Sequence, residues 1–172
     1  IGDTVLTGTV VTFKPDDTIF TELEYSFDIL ANRLREQAFL NKGINIVLID
    51  TREGHEKETK FFFEGGVKSF VEYLNASKSV INPEPVYVEF EKDQVILQMA
   101  LQYNDGYSEN IYTFVNNIHT RDGGTHLSGF KSALTRTLND FLKKSKLGKK
   151  MDNTLSGDDT REGLTAVISI KI

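Results

Sequence analysis

One arrangement constrains this chain more than any other. Two β-type runs, IYTFVNNI (111–118) and LTAVISIKI (164–172), flank a long amphipathic segment that starts after the glycine turn RDGGT. In that segment Leu127, Phe130, Leu134, Leu138 and Phe141 recur at spacings of three and four, which puts them on one helical face over about four turns. The spacing predicts a helix with a single buried stripe, carried between two strands. Gly123, Gly124 and Thr125 at its start can be read as an anion site, because backbone N–H groups and the helix dipole point outward there. They lack the lysine and spacing of a phosphate loop, so a turn with Thr125 as N-cap is preferred.

The segments upstream are shorter but readable. Val10 to Phe13 reads as a strand stopped by Pro15 and an Asp-Asp turn. Phe20, Leu23, Phe27, Leu30, Leu34 and Ala38 predict a helix, with Glu22, Glu24 and Asp28 early, Arg33 and Arg35 late, and Asn41 and Gly43 as its C-terminal cap. Ile44 to Asp50 predicts a strand that pairs with KFFF (60–63) as a hairpin. Gly65 and Gly66 then break the pattern and mark a boundary, after which Val67, Phe70, Val71 and Leu74 form the inner face of a second helix. SKSVINPEP is an extended connector, and VYVEFEKD with QVILQMALQYND forms an antiparallel hairpin with one wet face, turning at Lys92-Asp93. The stretch LGKKMDNTLSGDD, between the long helix and the last strand, reads as mobile.

Charge is unevenly placed. From Lys131 to Lys150 stand Lys131, Arg136, Lys143, Lys144, Lys146, Lys149 and Lys150 against Asp140 alone, so the window carries +6 and the rest −11, adding to the chain's −5. The preferred reading is a solvated helix end whose lysines complement the C-terminal dipole; the alternative is a surface that meets a polyanion. On the second view the chain is a non-enzymatic DNA-binding module. No apolar run nears the roughly 18–20 residues that cross a bilayer, and the first residues show no signal-peptide pattern, so a cytoplasmic protein is expected.

Catalytic and metal signatures are weak. Asp158, Asp159 and Glu162 form an acidic cluster, but GDDTREG fits a short helical turn that an aspartate caps and Gly163 ends, and capping is preferred over a divalent metal. His55, His119 and His126 are scattered and the chain has no cysteine, which disfavours zinc. No strained G-x-S-x-G nucleophile turn is present.

The longer segments TGTVVTFKPD, RLREQAFLNKGINIVLID, FEGGVKSFVEYLN, LQYNDGYSENIYTFVNNIHTRDGGTHLSGFKSALTRTLN and GDDTREGLTAVISIKI cover almost the whole chain. Through them it resembles the B subunits of the bacterial type IIA topoisomerases, DNA gyrase and topoisomerase IV, with YSENIYTFVNNIHTRDGGTHLSGFK nearer the gyrase form. The resemblance implies an α+β fold in two parts. Residues 1–64 would be the C-terminal part of a GHKL-type ATP-binding domain, and 65–172 a transducer domain with a ribosomal protein S5 domain 2-like fold and a left-handed strand-helix-strand crossover. It implies that the chain ends before the family's Gln-Thr-Lys loop. It also implies that Thr9 and Val11 border the adenine end of an ATP pocket whose catalytic residues lie outside this chain. Lys131 would replace a basic residue, commonly arginine, that faces the DNA cavity, and Gly65-Gly66 is a candidate hinge. ATP and Mg2+ would serve the intact protein, and its partners would be the A subunit, duplex DNA and a second B subunit, with no membrane. This chain alone would not hydrolyse ATP.

Overall fold

The computed structural model describes residues 3, 5, 7–145 and 154–172. Lys146, Lys149 and Lys150, and the part of the expected mobile stretch at 147–153, lie outside the described residues. The elements in order are α1 (Phe27–Leu40), β1 (Ile46–Asp50), β2 (Lys57–Phe61), α2 (Val67–Leu74), β3 (Val86–Lys92), β4 (Val95–Tyr103), β5 (Asn110–Val115), β6 (Ile118–His119), α3 (Thr125–Lys144) and β7 (Leu164–Lys171). Strands β1 and β2 form a two-stranded antiparallel sheet, and the other five form a sheet in the order β3-β4-β7-β5-β6. The fold is α+β, and it contains the strand, helix and strand unit that the periodicity predicts.

The last strand lies in the middle of the larger sheet. β7 pairs antiparallel with β4 and parallel with β5, from Asn110↔Thr165 to Val115↔Ile170. A parallel pair cannot be closed by a tight turn, which is why α3 is needed as the crossover. With both faces covered, β7 is buried from Leu164 to Ser169 and reads as a continuous apolar run broken by Thr165 and Ser169, as a central strand should.

Alternation along the strands sends neighbouring residues to opposite faces. On one face Ala100, Phe114 and Val167 join Phe39 and Leu40 of α1 and Val67, Phe70 and Val71 of α2 in a single core. On the other, Leu101, Leu164 and Ala166 pack with Phe130 and Leu134 of α3. A buried polar chain seals the end of α2 against the sheet. Asn75 Nδ2 donates to Gln102 Oε1 at 2.9 Å, Thr165 Oγ1 donates to Asn75 Oδ1 at 2.7 Å, and Gln102 Nε2 donates to the Asn82 carbonyl at 2.9 Å. These bonds satisfy groups that would be costly to bury unpaired, and they fix the connector that carries Pro83 and Pro85.

Several expectations need correction. Val10–Phe13 is in no strand: among the described residues it has no strand partner, and its side chains are exposed. α1 starts at Phe27 rather than Phe20. The Asp16 carboxylate and carbonyl capture Thr18, Ile19 and Phe20 in a local turn, and the Ser26 hydroxyl accepts from Ile29 N at 3.4 Å as the N-cap. Glu22 and Glu24 are therefore outside the helix. At its other end Asn41 is the C-cap, as the sequence suggests, and Gly43 has φ of +82°.

β2 starts at Lys57 and leaves the ladder after Phe61, which frees Phe63 to stack on Phe39. The run 111–118 is two strands, because Asn116 and Asn117 take φ of +48° and +64° and make a two-residue hairpin turn. The β3–β4 turn is at Asp93-Gln94, both with positive φ, one residue later than expected. β3 is an edge strand exposed along its whole length, not on one face alone. Thr125 is the first residue of α3, and Gly124 is its N-cap with no side-chain bond. No residue of α3 is fully buried, and Phe141 is 63% exposed. Phe130 and Leu134, in the middle of the stripe, pack against the buried residues of the sheet.

Candidate functional site

The side chains that bear charge at the crossover come from three separate places. Glu109 is the residue before β5, Lys131 lies in the second turn of α3, and Arg161 lies in the helical turn before β7. Lys131 Nζ is 2.5 Å from Glu109 Oε1, Arg161 Nε donates to Glu109 Oε2 at 2.6 Å, and Arg161 Nη2 donates to Asp158 Oδ1 at 2.8 Å. The placement follows from the fold. Thr135, one turn after Lys131, bonds to Thr160 between their hydroxyls at 3.0 Å, so this side of α3 faces the turn that carries Arg161.

That turn is capped, but by Ser156, the residue before GDDTREG, with Asp159 as its partner. The Asp159 carboxylate accepts from Ser156 N at 2.8 Å, while Asp159 N donates to Ser156 Oγ at 3.2 Å, a reciprocal capping box. Hydrogen bonding from the Ser156 side chain and backbone holds the Asp159 carboxyl below its usual range. Gly163 ends the turn with φ of +69°.

Glu109 is subject to opposing effects. Burial raises its pKa, but the hydrogen bonds and charges of Lys131 and Arg161 outweigh that and leave it lowered. A depressed folded-state pKa means the carboxylate stabilises the fold at pH above the unfolded glutamate value, about 4.3, and that this is lost as pH falls through the folded value. The melting-temperature gap between the native chain and E109Q is therefore expected to be present at pH 6 and to shrink as pH falls below the unfolded glutamate value. A gap that is constant over that range would contradict the paired carboxylate.

A second charged cluster joins the N-terminal segment to the small sheet. Arg52 holds Asp50 with Nε at 3.0 Å from Oδ1 and Nη2 at 2.6 Å from Oδ2, and its Nη2 also donates to the Tyr25 carbonyl at 2.9 Å. The side-chain and backbone bonds from Arg52 lower the Asp50 pKa to about 2. This cluster lines one cavity with Glu24, Phe27 and His55.

The other positions singled out from sequence fall as follows. Thr9 and Val11 are exposed, lie in no helix or strand, and line neither this cavity nor the one beside Glu109. Gly65 and Gly66 lie between β2 and α2, with Gly66 at φ of +58° as the N-cap of α2. The ring of Phe39 stacks on Phe63 before the glycines and on Phe70 after them. The turn before α3 is centred on Arg121 and Asp122 and is closed by Gly123 N donating to the Thr120 carbonyl at 3.0 Å, with Gly124 following as the N-cap. Sequence reading misses Glu109 and Arg161, which are far apart in the chain. Only the parallel register Asn110↔Thr165 brings them together, and no local spacing signals it.

The fold is similar to part of the ATPase region of Saccharomyces cerevisiae topoisomerase II, with a TM-score of 0.54 at 21% identity over 90% of this chain and 35% of that one. Residues 66–172 match the DNA gyrase B family model, and the chain belongs to the DNA gyrase B family. It is 57% identical to the DNA gyrase B protein of Clostridium acetobutylicum over 173 aligned residues, which covers 100% of this chain and 27% of that protein. It resembles the 43K ATPase domain of Thermus thermophilus gyrase B, solved with an aminocoumarin, with a TM-score of 0.82 and 39% identity over 93% of this chain and 43% of that one. The chain thus spans well under half the length of the relatives it matches. Among the described residues no helix is long and apolar enough to cross a membrane.

Proposed function

We propose that this chain is part of the ATPase subunit of a DNA gyrase, coupling ATP binding and hydrolysis to gate closure, DNA strand passage and negative supercoiling in the cytoplasm. The observation that carries the reading is the match of 66–172 to the DNA gyrase B family, at 57% identity to a named gyrase protein over the whole chain. In this reading residues 1–64 are the C-terminal part of the GHKL ATP-binding domain and 65–172 the S5-like transducer. ATP with Mg2+, the A subunit, duplex DNA and a second B subunit complete the machine. Thr9 and Val11 belong to the ATP pocket only together with residues outside this chain, and the chain alone does not turn over ATP.

Contacts between the two parts support a transducing role. Gln37 Nε2 of α1 donates to the Asn117 carbonyl at 3.1 Å, and Asn117 Nδ2 donates to Asn41 Oδ1 at 3.0 Å. Asn116 N donates to the Ile170 carbonyl at 2.8 Å and Asn116 Oδ1 accepts from Ile172 N at 3.0 Å. A displacement of α1 is thus felt at the end of β7 through one tight turn. Gly65-Gly66 is the proposed hinge, and reorientation there has to shear the ring of Phe39 from Phe70. Equal angles between the two parts in nucleotide-bound and nucleotide-free forms of the complete subunit would sink the hinge.

The decisive experiment uses the full-length subunit with its A-type partner, ATP, Mg2+ and relaxed circular DNA. Negative supercoils are the expected product. Decatenation without supercoiling would instead indicate topoisomerase IV, and measurable ATP turnover by the 172-residue chain would contradict the incomplete pocket.

A further inference from the structure

The Glu109 carboxylate is held as a bound phosphate would be, with cations from two elements converging on separate oxygens at 2.5 and 2.6 Å. The two cations are not equally committed. Arg161 is 14% exposed in its side chain and has Asp158 as a second anion, whereas Lys131 is 33% exposed and Glu109 is its ion-pair partner among the described residues. Nothing in the turn requires Lys131: the turn is closed by its own backbone bonds, by Ser156 and Asp159, and by Gly163. The cavity beside the pair is acidic, with Asp158, Asp159 and Glu162 near Arg161, which disfavours an approaching phosphate on that side. Arg136, Lys143 and Lys144 follow on α3, but at other angles around the helix from Lys131.

We propose that Glu109 is a built-in counter-anion for Lys131, which masks its charge from duplex DNA and sets how tightly the backbone phosphate is held at this face of α3. The inference rests on the reading of Lys131 as a DNA-facing residue, and it specifies how that contact is regulated. A half-exposed ion pair is worth only about 0–1 kcal/mol, so a phosphate can compete with the carboxylate, and the contact is made transient instead of forbidden. That suits a surface that DNA must traverse without being retained. Removing the carboxylate's charge frees one cation for DNA, because Arg161 keeps Asp158.

The test measures duplex DNA binding by the full-length subunit across a potassium chloride series, for the native protein, E109Q, K131Q and the double variant. Each phosphate neutralised contributes about 0.9 to the slope of log affinity against log salt. E109Q is expected to bind more tightly at low salt and to steepen the slope by about 0.9. K131Q is expected to leave the native slope nearly unchanged but to remove the gain of E109Q in the double variant. Asp158→Asn, which touches Arg161 but not Lys131, is expected to leave the slope as in the native protein, and melting temperatures establish that each variant is folded. If K131Q flattens the slope equally in both backgrounds, Lys131 meets DNA unmasked and the counter-anion proposal is overturned while the DNA-facing reading survives. If K131Q changes neither background, the DNA-facing reading fails and the proposal with it. Weaker binding by E109Q overturns it too, since Glu109 would then be positioning Lys131 for DNA.

Discussion

Replacing Gly163 with alanine is expected to cost on the order of 3 kcal/mol of stability or more, read as a lower urea midpoint with an unchanged slope. Two effects add. The backbone there has φ of +69°, which costs a residue with a Cβ about 1–2 kcal/mol. A Cβ at Gly163 would also collide with the Asn104 carbonyl oxygen and stand 2.7 Å from that of Gly106, and both are backbone atoms that cannot rotate away. Asn104 is pinned in turn: its N–H donates to the Gly163 carbonyl at 2.9 Å, and its side-chain amide donates to Thr165 Oγ1 at 3.3 Å. Relief of the clash therefore disturbs the start of β7, the central strand. Gly54 provides the control. It has φ of +76° but nothing within 4 Å of the place a methyl group would take, so Gly54→Ala is expected to lose only the conformational part, about 1–2 kcal/mol. Equal losses at the two sites would show that the close approach to Asn104 has no energetic weight.

Gly163 also shows what a sequence can and cannot disclose. Its role as the stop of a capped turn is local, and the GDDTREG pattern carries it. The carbonyls that forbid a side chain there come from another loop. The same division runs through the fold. α2 is legible because its inner face, Val67, Phe70, Val71 and Leu74, is set by its own periodicity, and β7 because an apolar run after a glycine has few other fates. The paired asparagines 116 and 117 are hidden inside an apparently continuous strand, since Asn-Asn is a weaker turn signal than Asn-Gly. Val10–Phe13 has strand composition without strand structure, because a strand is a property of a pair, and the described residues supply no partner strand. For α3, periodicity identifies the right face but not the depth of burial, which depends on how much sheet lies beneath: Phe130 and Leu134 meet Leu101, Leu164 and Ala166, while Phe141 extends past them. The candidate site is half visible. Lys131 can be named by resemblance, but its carboxylate partner becomes apparent only with the register of β5 on β7.

Phe39→Ala is expected to lose about 3–5 kcal/mol, a large share of the ~5–15 kcal/mol that holds a domain together. Phe39 is 1% exposed. Its ring stacks on Phe63 at 3.7 Å between centroids and on Phe70 at 4.7 Å, with interplanar angles of 19° and 6°, and Tyr73 closes the group at 5.5 Å. The truncation removes a ring from the middle of a stack, and Phe70 cannot move in without leaving α2. The site joins one helix to residues on both sides of Gly65-Gly66, and for this reason the loss should not be uniform. Amides of α1 are expected to lose hydrogen-exchange protection first, while β4 and β7, paired along their length, keep theirs. Phe39→Leu separates volume from stacking: it keeps much of the burial but gives up the aromatic pairs, worth about 0.5–1.5 kcal/mol each, and should fall between the native chain and the alanine variant. If Phe39→Ala stays within about 1 kcal/mol of the native chain, or if α1 and β7 lose protection together, the stack is not what holds the two parts in register. If α1 loosens alone, the ring of Phe39 is the contact through which motion in residues 1–64 reaches the sheet, and the conformational work of the proposed hinge has a measurable opponent.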